Sequence, residues 1–153
     1  MEKVYKVGII GCGGISHMHT NWYLAEPRTE VTVISDIDSD RLQAYGEQYG
    51  IEKAYKHYIE MLETEDLDIV SVCTRPKFHA PLVIESAKRG VRGILSEKPM
   101  AENLGQAREM VDVSQGNNVK LAIGHQLRFN SPYVLAKELI EDGKIGEIFR
   151  VHA

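Results

Sequence analysis

Short β-branched apolar runs alternate along this chain with segments of helical period, and that alternation leaves few folds open. Residues 5–10 are mostly apolar and end in Gly11, the pattern of a strand buried on both faces of a parallel sheet. Over residues 15–25 the period changes: Ile15, Met18, Trp22 and Ala25 recur at helical spacing, and Pro27 closes the segment. Residues 31–35 form a second strand ending at Asp36. Asp38 or Ser39 then caps a helix carrying Leu42, Tyr45 and Tyr49 on one face, with Gly50 as its stop. A short strand at 53–55 and a helix near 58–62 rest on barely two turns of periodicity. Residues 69–73 and 92–95 read as strands around a helix at 79–89 that Gly90 ends. Asn103 caps a helix with Leu104, Ala107, Val111 and Ser114 on one face, and a strand follows at 119–123. Ser131 and Pro132 open a helix over 133–141 that Gly143 stops, and 146–153 alternates like one more strand. Strands alternating with helices imply βαβ crossovers, hence an α/β chain with a doubly wound parallel sheet and helices on both faces.

Length and composition agree with that reading and remove others. A chain of 153 residues is one domain of ordinary size. With 43% hydrophobic and 26% charged residues it is neither disordered nor membrane-spanning in composition, since no apolar run approaches the ~18 residues a spanning helix needs. The net charge of −4 is spread along the chain, so no basic face points to nucleic acid or an acidic lipid surface. Met1-Glu2-Lys3-Val4 leads into a short apolar run without a small-residue cleavage site, which argues against a signal peptide and for the cytoplasm. Cys12 and Cys73 alone make neither a disulfide framework nor a zinc site, and no metal is expected.

The turn between the first strand and first helix reads Gly11-Cys12-Gly13-Gly14-Ile15-Ser16. Gly11 supplies a tight turn, and Gly13 lets the backbone approach a pyrophosphate held at the helix N-terminus, with Gly14 and Ile15 alongside. Ser16 stands where a third glycine is usual. Its hydroxyl must tuck back onto the backbone, or the helix must sit slightly farther from the strand. Glycines also occur in ordinary strand-to-helix turns, so the context decides. About 20 residues on, Asp36 ends the second strand, where a carboxylate binds both hydroxyls of an adenosine ribose. That acid would repel a 2′-phosphate, which favours NAD; Arg41 nearby keeps NADP open.

Five segments in order, GIIGCGGISHMH, CTRPKFHA, Glu97-Lys98-Pro99, GHQLRFNSPY and GKIGEI, resemble the amino-terminal half of the Gfo/Idh/MocA oxidoreductases, which mostly act on sugars and polyols. The resemblance covers nearly all of the chain. It implies a Rossmann domain with strand order 3-2-1-4-5-6, followed in typical members by a mostly antiparallel sheet domain that adds an aspartate and a histidine to the active site. Residues 1–124 are then the dinucleotide-binding domain, and 125–153 the connecting helix and first strand of a second domain otherwise absent from this sequence. The resemblance places Lys98 beside the nicotinamide, on the reacting hydroxyl, and Glu97 on the nicotinamide-side ribose. An ammonium there stabilises charge developing on the alcohol oxygen during hydride transfer. Pro99 follows a charged residue in a turn of the kind that sometimes takes a cis bond.

Departures from the family pattern are informative too. Thr74-Arg75-Pro76 replaces the usual Thr-Pro-Asn, while His79 is in place; Thr74 and His79 remain candidate cofactor neighbours. His19 reads as a structural hydrogen-bonder, and His17 and His19, two apart on a helix, do not make a metal pair. Arg128 is either a substrate-side or cofactor-side contact or an interdomain ion pair. Two functions stay open: the NAD(P)-binding part of a sugar or polyol dehydrogenase, with little turnover in these 153 residues alone, or a short NAD-binding sensor module without turnover. Apolar surface along 148–151 makes a homo-oligomer an expectation.

Overall fold

The computed structural model describes residues 3–152; Met1, Glu2 and Ala153, which the start of the chain and the expected last strand include, lie outside them. Six parallel strands run β1 (Tyr5–Ile10), β2 (Thr29–Ser35), β3 (Lys53–Tyr55), β4 (Ile69–Val72), β5 (Gly93–Ser96) and β6 (Lys120–Ile123). Their order across the sheet is β3-β2-β1-β4-β5-β6. Six helices connect them or follow them: α1 (Gly14–Ala25), α2 (Ser39–Tyr49), α3 (Tyr58–Thr64), α4 (His79–Lys88), α5 (Leu104–Gly116) and α6 (Ser131–Glu141).

Alternation along each strand feeds two cores, one on each face of the sheet. Ile10, Val33, Val70 and Val72 pack with Met61 of α3, Leu82 and Val83 of α4 and Met110 of α5. Val7, Ile9, Val31 and Ile34 pack with Leu42 and Tyr45 of α2. This is the doubly wound arrangement, and the reversal of winding falls between β1 and β4. Helix ends are fixed locally. Asp38 caps α2 by accepting from the Asp40 and Arg41 N–H groups, and Asn103 caps α5 by accepting from Gln106.

Three expectations about faces and ends need correction. On α1, Met18 and Trp22 are exposed at 43% and 44%, and the buried face is Ser16, His19 and Thr20. Each of these polar groups has a partner inside: Ser16 Oγ donates to Gly13 O, His19 reaches β4, and Thr20 Oγ1 bonds to the Tyr45 hydroxyl at 2.7 Å. Hydrogen bonding lets a polar stripe take the core side that hydrophobicity alone would assign to its neighbours. On α5, Leu104 and Val111 are exposed, whereas Met110 and Ser114 are buried. The stretch after Gly146 alternates but forms no strand over residues 147–152. A strand needs a neighbour to take its backbone hydrogen bonds, and this stretch pairs with none of the six. Phe149 is consequently 97% exposed, and α6 has no buried residue.

Candidate functional site

Parallel strands bring their carboxyl ends to one edge, so residues distant in sequence meet there: the turn after β1, Asp36 after β2, Thr74 after β4, Glu97 and Lys98 after β5, and Gly124 after β6. Gly11 has φ +94°, and a Cβ on it would lie 2.8 Å from the carbonyl oxygen of Cys73. A side chain is excluded twice over, by backbone conformation and by the neighbouring strand end. Gly13 and Gly14 are the opposite: an added Cβ meets nothing within 4 Å of either. Gly13 is also the N-cap of α1 and offers no capping side chain. The first N–H groups of a helix have no intrahelical partner and carry its positive dipole end, so this open flank suits an anionic ligand. The Ser16 hydroxyl does tuck back, onto Gly13 O at 2.5 Å, which keeps the helix against the strand without a third glycine. Ile15 is half-buried against the core on this side of the sheet.

Asp36 is 8% exposed and anchors the turn from the adjacent strand. Its Oδ2 accepts from the Cys12 N–H at 2.7 Å and its Oδ1 from the Asp38 N–H at 2.9 Å. Arg41, half-exposed on the first turn of α2, brings Nη1 within 3.5 Å of Asp36 Oδ2 and Nη2 within 3.3 Å of Asp38. The carboxylate is thus oriented by backbone donors and stands at the end of β2, where the sugar of a dinucleotide would reach it. The Cys12 and Cys73 thiols, free and buried, are pushed up to about 12, chiefly by burial; the Asp36 carboxylate adds to the effect on Cys12. Both stay protonated fillers at the ends of paired strands.

On the other side of the switch point, Glu97 is 4% exposed and Lys98 is exposed. Glu97 Oε1 accepts from His19 Nε2 at 2.9 Å, and Oε2 accepts from the Lys98 N–H at 3.1 Å. The Lys98–Pro99 bond is cis. His79 is fully buried, with Nδ1 2.7 Å from Pro99 O and Nε2 3.0 Å from Thr74 O. It therefore braces the two loops on which Thr74 and Lys98 lie, and both its ring nitrogens face backbone carbonyls. Thr74 is half-buried, with its methyl group beside Gly11. Beyond Lys98 a cleft of about 850 Å³ opens toward α6, lined among others by Gly124, His125, Arg128, Tyr133 and Lys137. Arg128 Cζ lies 5.6 Å from the Phe129 ring, in cation–π range. Among the described residues no group of three or more His, Cys, Asp or Glu side chains is placed to hold a metal.

The expected site residues thus share one edge of the sheet, in two groups on either side of the β1/β4 switch. Sequence reasoning missed the partners of His19. Ser71 lies on β4 and Glu97 just after β5, 52 and 78 residues away along the chain. The local signal was the polar spacing of Ser16, His19 and Thr20 on one face of α1. The bond from Asp36 to the Cys12 N–H and the close approach of Gly124 to Glu97 were also not foreseen.

Residues 5–125 match the sequence pattern of an oxidoreductase family described by its NAD-binding Rossmann fold, Gfo/Idh/MocA. Among curated relatives, the myo-inositol 2-dehydrogenase of Thermotoga maritima is 34% identical over 142 residues, 93% of this chain and 42% of that protein. The D-apiose dehydrogenase of Paraburkholderia graminis is 34% identical over 147 residues, 96% of this chain and 39% of that protein. Among solved structures, the WlbA dehydrogenase of Bordetella pertussis in complex with NADH and UDP-GlcNAcA superposes with a TM-score of 0.91 at 30% identity, over 96% of this chain and 45% of that one. The chain spans about two fifths of the length of the curated relatives it matches. No described helix is long and apolar enough to cross a membrane.

Proposed function

The chain belongs to the Gfo/Idh/MocA oxidoreductase family as its NAD-binding Rossmann domain, and from that premise we propose that it serves a cytoplasmic dehydrogenase that oxidises a sugar or polyol hydroxyl. The observation that carries this reading is the convergence on one sheet edge of the open glycine turn, Asp36 and the Glu97-Lys98 turn.

In this reading the N–H groups at the start of α1 take the pyrophosphate, beside Gly13, Gly14 and Ile15. Asp36 accepts from the adenosine ribose hydroxyls through the lone pairs that Cys12 and Asp38 leave free, and its charge opposes a 2′-phosphate. Thr74 and His79 shape the loop over the middle of the cofactor, and Glu97 with Lys98 faces the nicotinamide side. A bound nicotinamide supplies the hydride acceptor. Lys98 binds the substrate oxygen and stabilises the charge that develops there as the hydroxyl proton passes to an acid–base group, the aspartate or histidine that the family's second domain adds. The cleft beyond Lys98 admits the sugar or polyol. Residues 1–124 form the cofactor domain, and 125–153 lead toward a second domain that completes the substrate site. The exposed α6 and the apolar cleft support that division. Lys98 alone does not fix reacting atoms to the ångström that turnover demands, so these 153 residues hold cofactor with little catalysis.

A panel of sugars and polyols assayed with NAD tests the proposal, using both this chain and the protein extended by a family sheet domain. NAD reduction by the longer protein that disappears in Lys98→Ala supports it. Robust, Lys98-dependent turnover by the 153 residues alone contradicts the division of labour, and no reduction by the longer protein with any polyol contradicts the activity.

A further inference from the structure

A chain of buried polar groups crosses the sheet between α1 and the Lys98 turn. Ser71 Oγ lies 2.7 Å from His19 Nδ1 and 3.7 Å from Cys73 Sγ. His19 Nε2 lies 2.9 Å from Glu97 Oε1, and Glu97 Oε2 accepts from the Lys98 N–H at 3.1 Å. Ser71 and His19 are fully buried and Glu97 nearly so. One assignment of hydrogens satisfies the whole chain. Ser71 donates to Nδ1, while Nε2–H donates to a carboxylate that can only accept. From the opposite side Gly124 closes on Glu97 so tightly that an added Cβ would sit 2.7 Å from Oε1.

The carboxylate of Glu97 is therefore held on three sides, and its hold passes directly into the backbone of Lys98. Networks of this kind fix one arrangement when complete and are costly when broken, because a buried charge is left without its donor. Without His19, Glu97 Oε1 would lose its one hydrogen-bond donor among the described residues. Its nearest relief is to swing outward toward the exposed ammonium next to it in sequence, taking Lys98 away from the reacting hydroxyl.

We propose that His19 is a positioning residue for the nicotinamide end of the site: through Glu97 it ties the Lys98 turn to α1, the helix whose N-terminus holds the pyrophosphate. This rests on the cofactor reading above. The link registers the reacting end of the cofactor against its phosphate end, so binding at the first is sensitive to His19 and binding at the second is not.

The experiment compares NAD with ADP-ribose, which has the phosphates and adenosine but lacks nicotinamide. Each is titrated calorimetrically into the intact chain and into His19→Ala, His19→Gln and Gly124→Ala, with thermal melts to establish that each variant is folded. Gln carries an amide that can donate to Glu97 and a carbonyl that can accept from Ser71. The preference for NAD over ADP-ribose should fall about fivefold or more in His19→Ala, with ADP-ribose affinity within about twofold of the parent, and His19→Gln should recover most of it. Gly124→Ala disturbs Glu97 with His19 intact and should lower the same ratio, which keeps the test decisive if His19→Ala does not fold. Parallel weakening of both ligands, or an unchanged ratio in the folded variants, overturns the proposal. A parent chain that binds ADP-ribose and NAD equally also overturns it, whereas a parent that binds neither overturns the cofactor reading itself.

Discussion

The two sides of the sheet edge are built differently. Around the glycine turn every functional group is held by the chain itself: Gly11 is wedged against Cys73, and Asp36 is fixed by the N–H groups of Cys12 and Asp38. Around Lys98 the Glu97 carboxylate and the backbone are held, but the reacting ammonium is not. The lysine side chain is exposed, and the cleft beyond it is bounded by a helix whose residues are all accessible. If the proposed function holds, the difference makes affinity for a dinucleotide separable from competence to turn over substrate. On that proposal the first is a property of strand ends packed in the core, while the second needs a floor over Lys98.

The comparison breaks most readily at Gly11. In Gly11→Ala a residue at φ +94° acquires a Cβ against backbone, and conformational strain with overpacking should cost about 2–4 kcal/mol of stability. Urea unfolding measures the loss, and a variant as stable as its parent would show that this side is not held as described. Asp36→Ala comes next. Charge-assisted hydrogen bonds contribute about 1.5–3 kcal/mol each, so NAD affinity should drop roughly tenfold or more while NADP, relieved of repulsion, gains relative to it. An unmoved preference ratio in competition titrations means Asp36 does not bind the ribose.

Buried thiols sharpen the same contrast. Cys12 and Cys73 are raised from the usual value of 9.0 to about 12 in the folded chain, above their unfolded value. Below pH 9 both states are protonated and the thiols have no effect on pH dependence. Between pH 9 and 12 the unfolded thiols ionise first, and stability falls by up to about 1.4 kcal/mol per pH unit for each. Replacing both with Ala should flatten the alkaline limb of the stability profile, and an equally steep limb would place the thiols outside the protected core. The smallest changes belong to the open side. Lys98→Ala and Leu139→Lys should alter stability by no more than about 0.5 kcal/mol, as expected of surface positions. Leu139→Lys should also lower any self-association through the apolar face of α6, read by sedimentation at increasing concentration. A larger stability loss in either variant would mean the open side is more tightly packed than it looks.

What could be read from the sequence follows the same division. Strand, glycine turn, helix and acid are local signals, so β1, α1, β2 and Asp36 were legible, while the α2 cap was narrowed only to Asp38 or Ser39 and Ser16 to a hydroxyl turned back or a helix set farther off; the structure selects Asp38 and the turned-back hydroxyl. The buried face of α1 was not. Periodicity scores Met18 and Trp22 as core because they are apolar, whereas the interior there demands Ser16, His19 and Thr20; Ser16 finds its partner locally in Gly13, but those of His19 and Thr20 come from β4, the turn after β5 and α2. Alternation over 146–153 was read as a strand, but pairing is a tertiary property that no single stretch encodes. Ser71 and Glu97 become neighbours of His19 only once β4 and β5 lie side by side.

The central claim is that the glycine turn and Asp36 suffice to hold a dinucleotide without help from any further domain. Calorimetric titration of the 153-residue chain with NAD and with NADP tests it most directly. The account predicts saturable heat with NAD at submillimolar to millimolar ligand and weaker binding of NADP; no heat with either at millimolar concentration would contradict it.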